Sequence, residues 1–104
     1  MDLFFTDYRG KKIRFSEERI RHIEEHFEMK HFEDHIRETL LHPKAVVRSN
    51  RDDDASLYYR FYMGTRIGDK WLCIVVKDDD EEPFALTAYF TNKIKKGEVI
   101  WKST

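Results

Sequence analysis

The sequence predicts an α+β domain, with N-terminal helices packed on one face of an antiparallel sheet of about four strands. Three observations predict it. Apolar residues recur at helical spacing between Ser16 and Leu40. After Pro43 the period drops to alternation, as in "LYYRFYM". The strand-like runs that follow are joined by short connections, the arrangement of neighbouring antiparallel strands.

Taken in order, "LFFTDYRGKKIRFS" holds two short strand-like runs around Arg9-Gly10, a hairpin pattern. Ser16 is placed to cap the first helix, with Glu17 and Glu18 in its positive first turn. Ile20, Ile23 and Phe27 form its apolar stripe, and Phe32, Ile36 and Leu40 form a second. Pro43 ends the second helix, because the residue before a proline disfavours helical angles. "AVVRS" reads as a short strand. "LYYRFYM" puts Leu57, Tyr59, Phe61 and Met63 on one face and Tyr58, Arg60 and Tyr62 on the other. "WLCIVVK" is apolar on both faces, as a central strand is. "FALTAYF" turns Phe84, Leu86, Ala88 and Phe90 one way and Thr87 and Tyr89 the other, and "KKGEVIW" offers a last strand. The helices are expected on the apolar face. That leaves Tyr58, Arg60, Tyr62, Thr87 and Tyr89 on an open face rich in polar and aromatic groups, where a ligand is expected.

A chain of 104 residues is expected to fold as a single domain, residues 1–104. Eight Phe, five Tyr and two Trp argue for a packed core despite the many charges. Cys73 is the only cysteine, which excludes an internal disulfide and a Cys-rich zinc site. Its apolar setting reads as burial rather than reactivity. The first residues lack the basic and apolar regions of a signal peptide, and no run is long enough for a membrane helix. A cytosolic protein without membrane association is expected. The net charge of −1 hides two acidic runs, Asp52 to Asp54 and Asp78 to Glu82, which leave the remainder of the chain with a basic excess. A near-neutral total therefore does not exclude a basic face for a polyanion.

Four of the five histidines fall in "RHIEEHFEMKHFEDH". In one helix, His22 and His26 are neighbours, but His31 lies about half a turn from His22. The four cannot converge on one metal in an uninterrupted helix, and Ile23 stands where a zinc-protease motif needs Glu. A small metal-binding regulator is thus the weakest reading of the pairs. His22 and His26 flank the apolar stripe and have the pKa for proton transfer near neutrality. His31, His35 and His42 read as surface residues.

Several stretches read together resemble a known family. They are "IRFSEERIRHIEEHFEM", "IRETLLHPKAVVRS", "LYYRFY", "KWLCIVVK", "FALTAYFT" and "KKGEVIW", from Ile13 to Trp101. They resemble the phage- and mobile-element-associated nuclease domains of the barnase–EndoU–colicin–RelE-like (BECR) group. One departure is His26-Phe27-Glu28, where these domains commonly carry His-Pro-Glu. The resemblance implies a RelE-like fold of helices on an antiparallel sheet. It implies a metal-independent, cofactor-free, toxin-like RNA endonuclease, with RNA as substrate and an antitoxin or immunity protein as partner. It maps the helix histidine to His22 with His26 beside it, the basic strand residue to Arg60 (or Arg48 or Lys77), and the hydroxyl residue to Thr87.

The chemistry suits these residue types. Cleavage through the 2′-hydroxyl needs a base, an acid and groups that stabilise charge on phosphorus. His22 supplies the first or second, Arg60 a planar fork for phosphate oxygens, and Thr87 a hydrogen bond. Tyr58, Tyr62 and Tyr89 are candidates to stack bases, and Arg48 and Lys77 to hold the backbone. The rival reading is a non-catalytic RNA- or protein-binding module on the same fold, which the low net charge favours.

Overall fold

The computed structural model describes residues 1–26, 31–79 and 81–104, with His26 described only as the last residue of its helix. The connection between the helices, Phe27 within it, and the His26 side chain lie outside the described residues. The elements are β1 (Leu3–Thr6), β2 (Lys12–Phe15), α1 (Glu17–His26), α2 (Phe32–Leu41), β3 (Ala45–Arg48), β4 (Ala55–Thr65), β5 (Gly68–Lys77), β6 (Phe84–Thr91) and β7 (Val99–Lys102). Among the described residues, one seven-stranded sheet runs in the order β1-β2-β6-β5-β4-β3-β7.

This corrects the expected fold class. The sheet has seven strands rather than about four, and it is mixed: β2 lies parallel to β6, joined where the Arg14 N–H donates to the Pro83 carbonyl at 3.0 Å. The two helices are ten residues each and form an insertion between the first hairpin and the rest of the sheet. The physical reason is that β1, β2, β3 and β7 are only four residues long. Strands that short carry little period of their own, and tertiary pairing decides whether they join a sheet.

Local chemistry explains the turns and caps. Gly10 adopts φ 86° in the β1–β2 turn, a left-handed conformation glycine takes without steric cost. The Asp7 carboxylate accepts the N–H groups of Arg9 and Lys11 at 2.9 and 3.0 Å and fixes that turn. Ser16 Oγ accepts the Arg19 N–H at 3.2 Å, capping α1 as expected. Ile20 and Ile23 of α1, and Phe32, Ile36 and Leu40 of α2, pack onto one face of the sheet against Tyr58, Leu72, Ile74 and Ala88.

The other face is covered too. After β6 the chain crosses the sheet as a strap, residues 92–98, to reach β7 at the far edge. Ile94 of the strap packs on a second cluster of Val47, Leu57, Tyr59 and Cys73. The Lys95 N–H donates to the Tyr59 hydroxyl at 3.2 Å, the Asn50 side-chain amide to the Lys96 carbonyl at 2.8 Å, and the Arg48 N–H to the Glu98 carbonyl at 2.8 Å.

The faces of β4 are the reverse of expectation. Tyr58 and Tyr62 point to the helices, while Leu57 and Tyr59 point to the strap. Thr87 and Tyr89 are registered opposite Val75 and Cys73, and so face the strap side as expected. The five residues expected on one open face are therefore divided between the two faces of the sheet. Both faces of β4 are aromatic, so alternation alone could not orient them.

Candidate nucleic-acid interface

Strand register sorts the charges. Ala55 pairs with Lys77, which sets the Asp52–Asp54 run beside Asp78 and Asp79 at one end of the sheet. The Asp78 N–H donates to the Asp54 carbonyl at 2.6 Å, and Lys77 Nζ lies 2.6 Å from Asp52 and 3.9 Å from Asp54. Glu81 and Glu82 enter at the same end, because Lys77 also pairs with Phe84. The opposite end carries Lys44, Arg60, Lys70, Lys93 and Lys102, with Glu38 and Asp69 as its main counter-charges. There β4 and β5 run past their neighbours into a protruding hairpin, on which Met63 is 78 % exposed.

At the root of this hairpin a shallow depression of about 380 Å³ is lined by Lys44, Arg60, Phe61 and Trp71. Phe61 and Trp71 are cross-strand partners, their ring centroids 5.1 Å apart and inclined at 64°. Trp71 in turn meets Tyr59 edge-on at 6.4 Å, which supports it from the buried side. Phe61 remains 44 % exposed. Among the described residues Lys44 Nζ has no ion-pair partner.

Arg60 is held from the α2 side. Its Nη1 donates to the His42 carbonyl at 2.8 Å, and its Nε stands 3.2 Å from Glu38 Oε1. That second contact is an ion pair rather than a hydrogen bond, because the buried Nε–H is not aimed at an acceptor. Glu38 also accepts from the Tyr62 hydroxyl at 2.8 Å. The Tyr62 hydrogen bond, opposed by partial burial and aided by Arg60, holds the Glu38 carboxyl below its usual range. Burial pushes the Tyr62 phenol well above its ordinary value.

The remaining sequence candidates lie elsewhere. His22 is exposed on α1, where it lines a hollow of about 180 Å³ with Glu18, Arg19, Arg21 and Glu25. Thr87 lies on the strap side of β6. The strand position level with Arg60 is Phe90, three residues from Thr87, or roughly 10 Å along the strand. The structure thus does not bring His22, Arg60 and Thr87 together. Arg48 donates to the Asp53 carbonyl at 2.6 Å and stands 3.6 Å from Glu98, and Lys77 is taken up by Asp52. Tyr89 is half-buried under the Lys95 ammonium, 5.8 Å from its ring centre.

Tyr58 is 1 % exposed and belongs to a buried polar network. Its hydroxyl donates to Asp7 at 2.8 Å and receives Arg9 Nη2 at 3.2 Å, while Arg9 also reaches Asp78, and Asp78 accepts from Ser56. Tyr8 packs at a tilt between Tyr58 and Trp101, with centroids 5.9 and 4.9 Å away. This network ties the tip of the first hairpin to β4 and β7 and is structural.

Lys44, Phe61, Trp71 and Glu38 were not among the sequence candidates. The alternation that assigned Phe61 to the core hid it. A signal was present: Phe61 and Trp71 stand at nearly equal distances either side of the Thr65–Gly68 hairpin turn, positions that a hairpin places face to face. Comparisons of the chain with family models, curated proteins and solved structures find no match.

Proposed function

We propose that the protein binds single-stranded RNA at the cationic end of the sheet, without a committed cleavage step. The observation that carries this is the Phe61–Trp71 pair, half-exposed through Phe61, lining one depression with Lys44 and Arg60. Aromatic faces stack bases at about 1–3 kcal/mol each, largely regardless of sequence. Neighbouring cations bind the phosphates and release counterions. A net charge of −1 gives little long-range attraction, so the charge sorting is what makes one end serviceable for a polyanion. Binding is favoured over cleavage because an acid–base site needs base, acid and phosphate clamp around one phosphorus. The clamp candidate Arg60 and the hydroxyl candidate Thr87 lie on opposite faces.

The test is titration of a fluorescently labelled oligouridine with the protein at low salt in EDTA, followed by anisotropy and by tryptophan quenching. Saturable binding with quenching of Trp71 is expected, weakening as salt rises. No binding at about 50 mM salt would overturn the proposal. Shortening of the RNA to products with 2′,3′-cyclic phosphate ends, lost in Arg60→Ala, would replace it with the ribonuclease reading.

A further inference from the structure

Resting on the RNA-binding reading, we infer that Glu38 competes with RNA for Arg60, so that the site is held partly closed by its own carboxylate. Glu38 Oε1 stands 3.2 Å from Arg60 Nε, and both side chains are open to solvent, at 48 % and 36 % exposure. The Nε that Glu38 faces is buried, so an incoming phosphate meets the guanidinium at Nη2 and shares its charge, rather than a nitrogen, with the carboxylate. Two anchors fix the geometry. The His42 carbonyl holds Nη1 at 2.8 Å, so Arg60 cannot swing away to meet a ligand alone. The Tyr62 hydroxyl, at 2.8 Å, keeps Glu38 at its post. Nη2 makes no hydrogen bond among the described residues and is left to face a ligand in the depression that Arg60 lines.

The competition is weak enough to be overcome. The Nε–H is not directed at Glu38, so the pair lacks the paired hydrogen bonds of a bidentate contact. A phosphate that takes hydrogen bonds from Nη2 gains what Glu38 does not supply, and it does so against the repulsion of a neighbouring carboxylate. Glu38 thus sets a threshold that favours a phosphate presented together with a stacked base over a free anion.

The experiment uses the full chain and the same labelled oligouridine. Glu38→Gln removes the charge and keeps an acceptor for Tyr62. It is expected to tighten binding about fivefold, the factor that an exposed ion pair of about 1 kcal/mol withholds. The salt dependence should steepen by a fraction of one charge. In an Arg60→Gln background the same substitution should give no gain. Tyr62→Phe, which frees the carboxylate without removing it, should tighten binding by less than Glu38→Gln. Unchanged or weaker binding in Glu38→Gln and Tyr62→Phe, or a gain that persists without Arg60, overturns the inference. If wild type binds and Lys44→Ala weakens it while Glu38→Gln does not tighten it, the RNA reading survives and only this inference falls. If wild type does not bind, the RNA reading itself has failed.

Discussion

Gly97 anchors the strap, and replacing it with alanine should lift the strap from the sheet. A Cβ at this position would stand 2.5 Å from the Arg48 carbonyl oxygen and 2.7 Å from Val47 Cγ1. Comfortable carbon contacts begin near about 3.5 Å, so the overlap is roughly 1 Å. Arg48 cannot yield, because β3 is paired on both sides, with β4 and β7. The strap must move instead. A shift of that size stretches the Arg48–Glu98 and Asn50–Lys96 bonds, now both 2.8 Å, past useful length. Two lost bonds at about 1 kcal/mol each, plus about 1–2 kcal/mol of residual crowding, give a loss of about 3–4 kcal/mol. That is a large part of the stability of a small domain, so urea unfolding followed by circular dichroism should show a clear fall in midpoint. A second readout is local. Cys73, the only cysteine, lies under Ile94 of the strap. Its reaction with an aromatic disulfide reagent in native buffer should quicken by roughly 30-fold or more if opening becomes easier by about 2 kcal/mol. Gly97→Ala with stability within about 0.5 kcal/mol of wild type and an equally unreactive Cys73 would refute this account of the strap.

Tyr58→Phe removes one of the donors to a carboxylate that is fully buried. It should cost about 1.5–3 kcal/mol in urea unfolding, and a loss below about 0.5 kcal/mol would mean that Arg9 and the Lys11 N–H satisfy Asp7 without Tyr58. Phe61→Ala and Trp71→Ala should each weaken oligouridine binding by about 5- to 100-fold while circular dichroism stays native. Binding that tolerates both substitutions would remove the aromatic pair from the interface. Glu38 has its folded pKa lowered from 4.5, first by Tyr62, so its ionised form is favoured by folding. The stability it contributes is present above the unfolded carboxylate pKa and is lost as pH falls through the lowered folded value. The gap in thermal stability between wild type and Tyr62→Phe should therefore narrow between about pH 7 and pH 3, and an equal gap at both would exclude the Tyr62–Glu38 bond as its source.

Much of the local structure was legible in the sequence. The Ser16 cap, the two apolar stripes, the stop at Pro43 and the central position of "WLCIVVK" follow from propensities and periods that act over a few residues. The architecture was less so, for a definite reason. The parallel contact of β2 with β6 rests on one registered pair, Arg14 with Phe84, contributed by segments some seventy residues apart in the chain. The strap closes the second face with Ile94 as its one apolar residue on the cluster, helped by the close approach of Gly97 to Val47 and the Lys95–Tyr59 bond. Neither feature leaves a periodic trace, so a sheet that looked half-open is covered on both faces.

The site was hidden by the same cause, and the charges show how. Read along the chain, the two acidic runs look like separate solvated loops, and Lys77, Arg48 and Arg60 look like free cations. Once Ala55 pairs with Lys77, the runs are neighbours, and Lys77 and Arg48 are taken up at or near the acidic end. A cation close in space to an acidic run is a poor phosphate ligand, however basic its strand appears. Lys44 escapes this because β3 runs antiparallel to β4, which carries its start to the far end of the sheet, level with Arg60. Arg60 is intermediate: far from both runs, yet matched by a single carboxylate from α2. Of the two acids that the sorting of charge by register leaves at this end, Asp69 is held out on the hairpin by the Gly64 N–H, and Glu38 is the one that reaches Arg60.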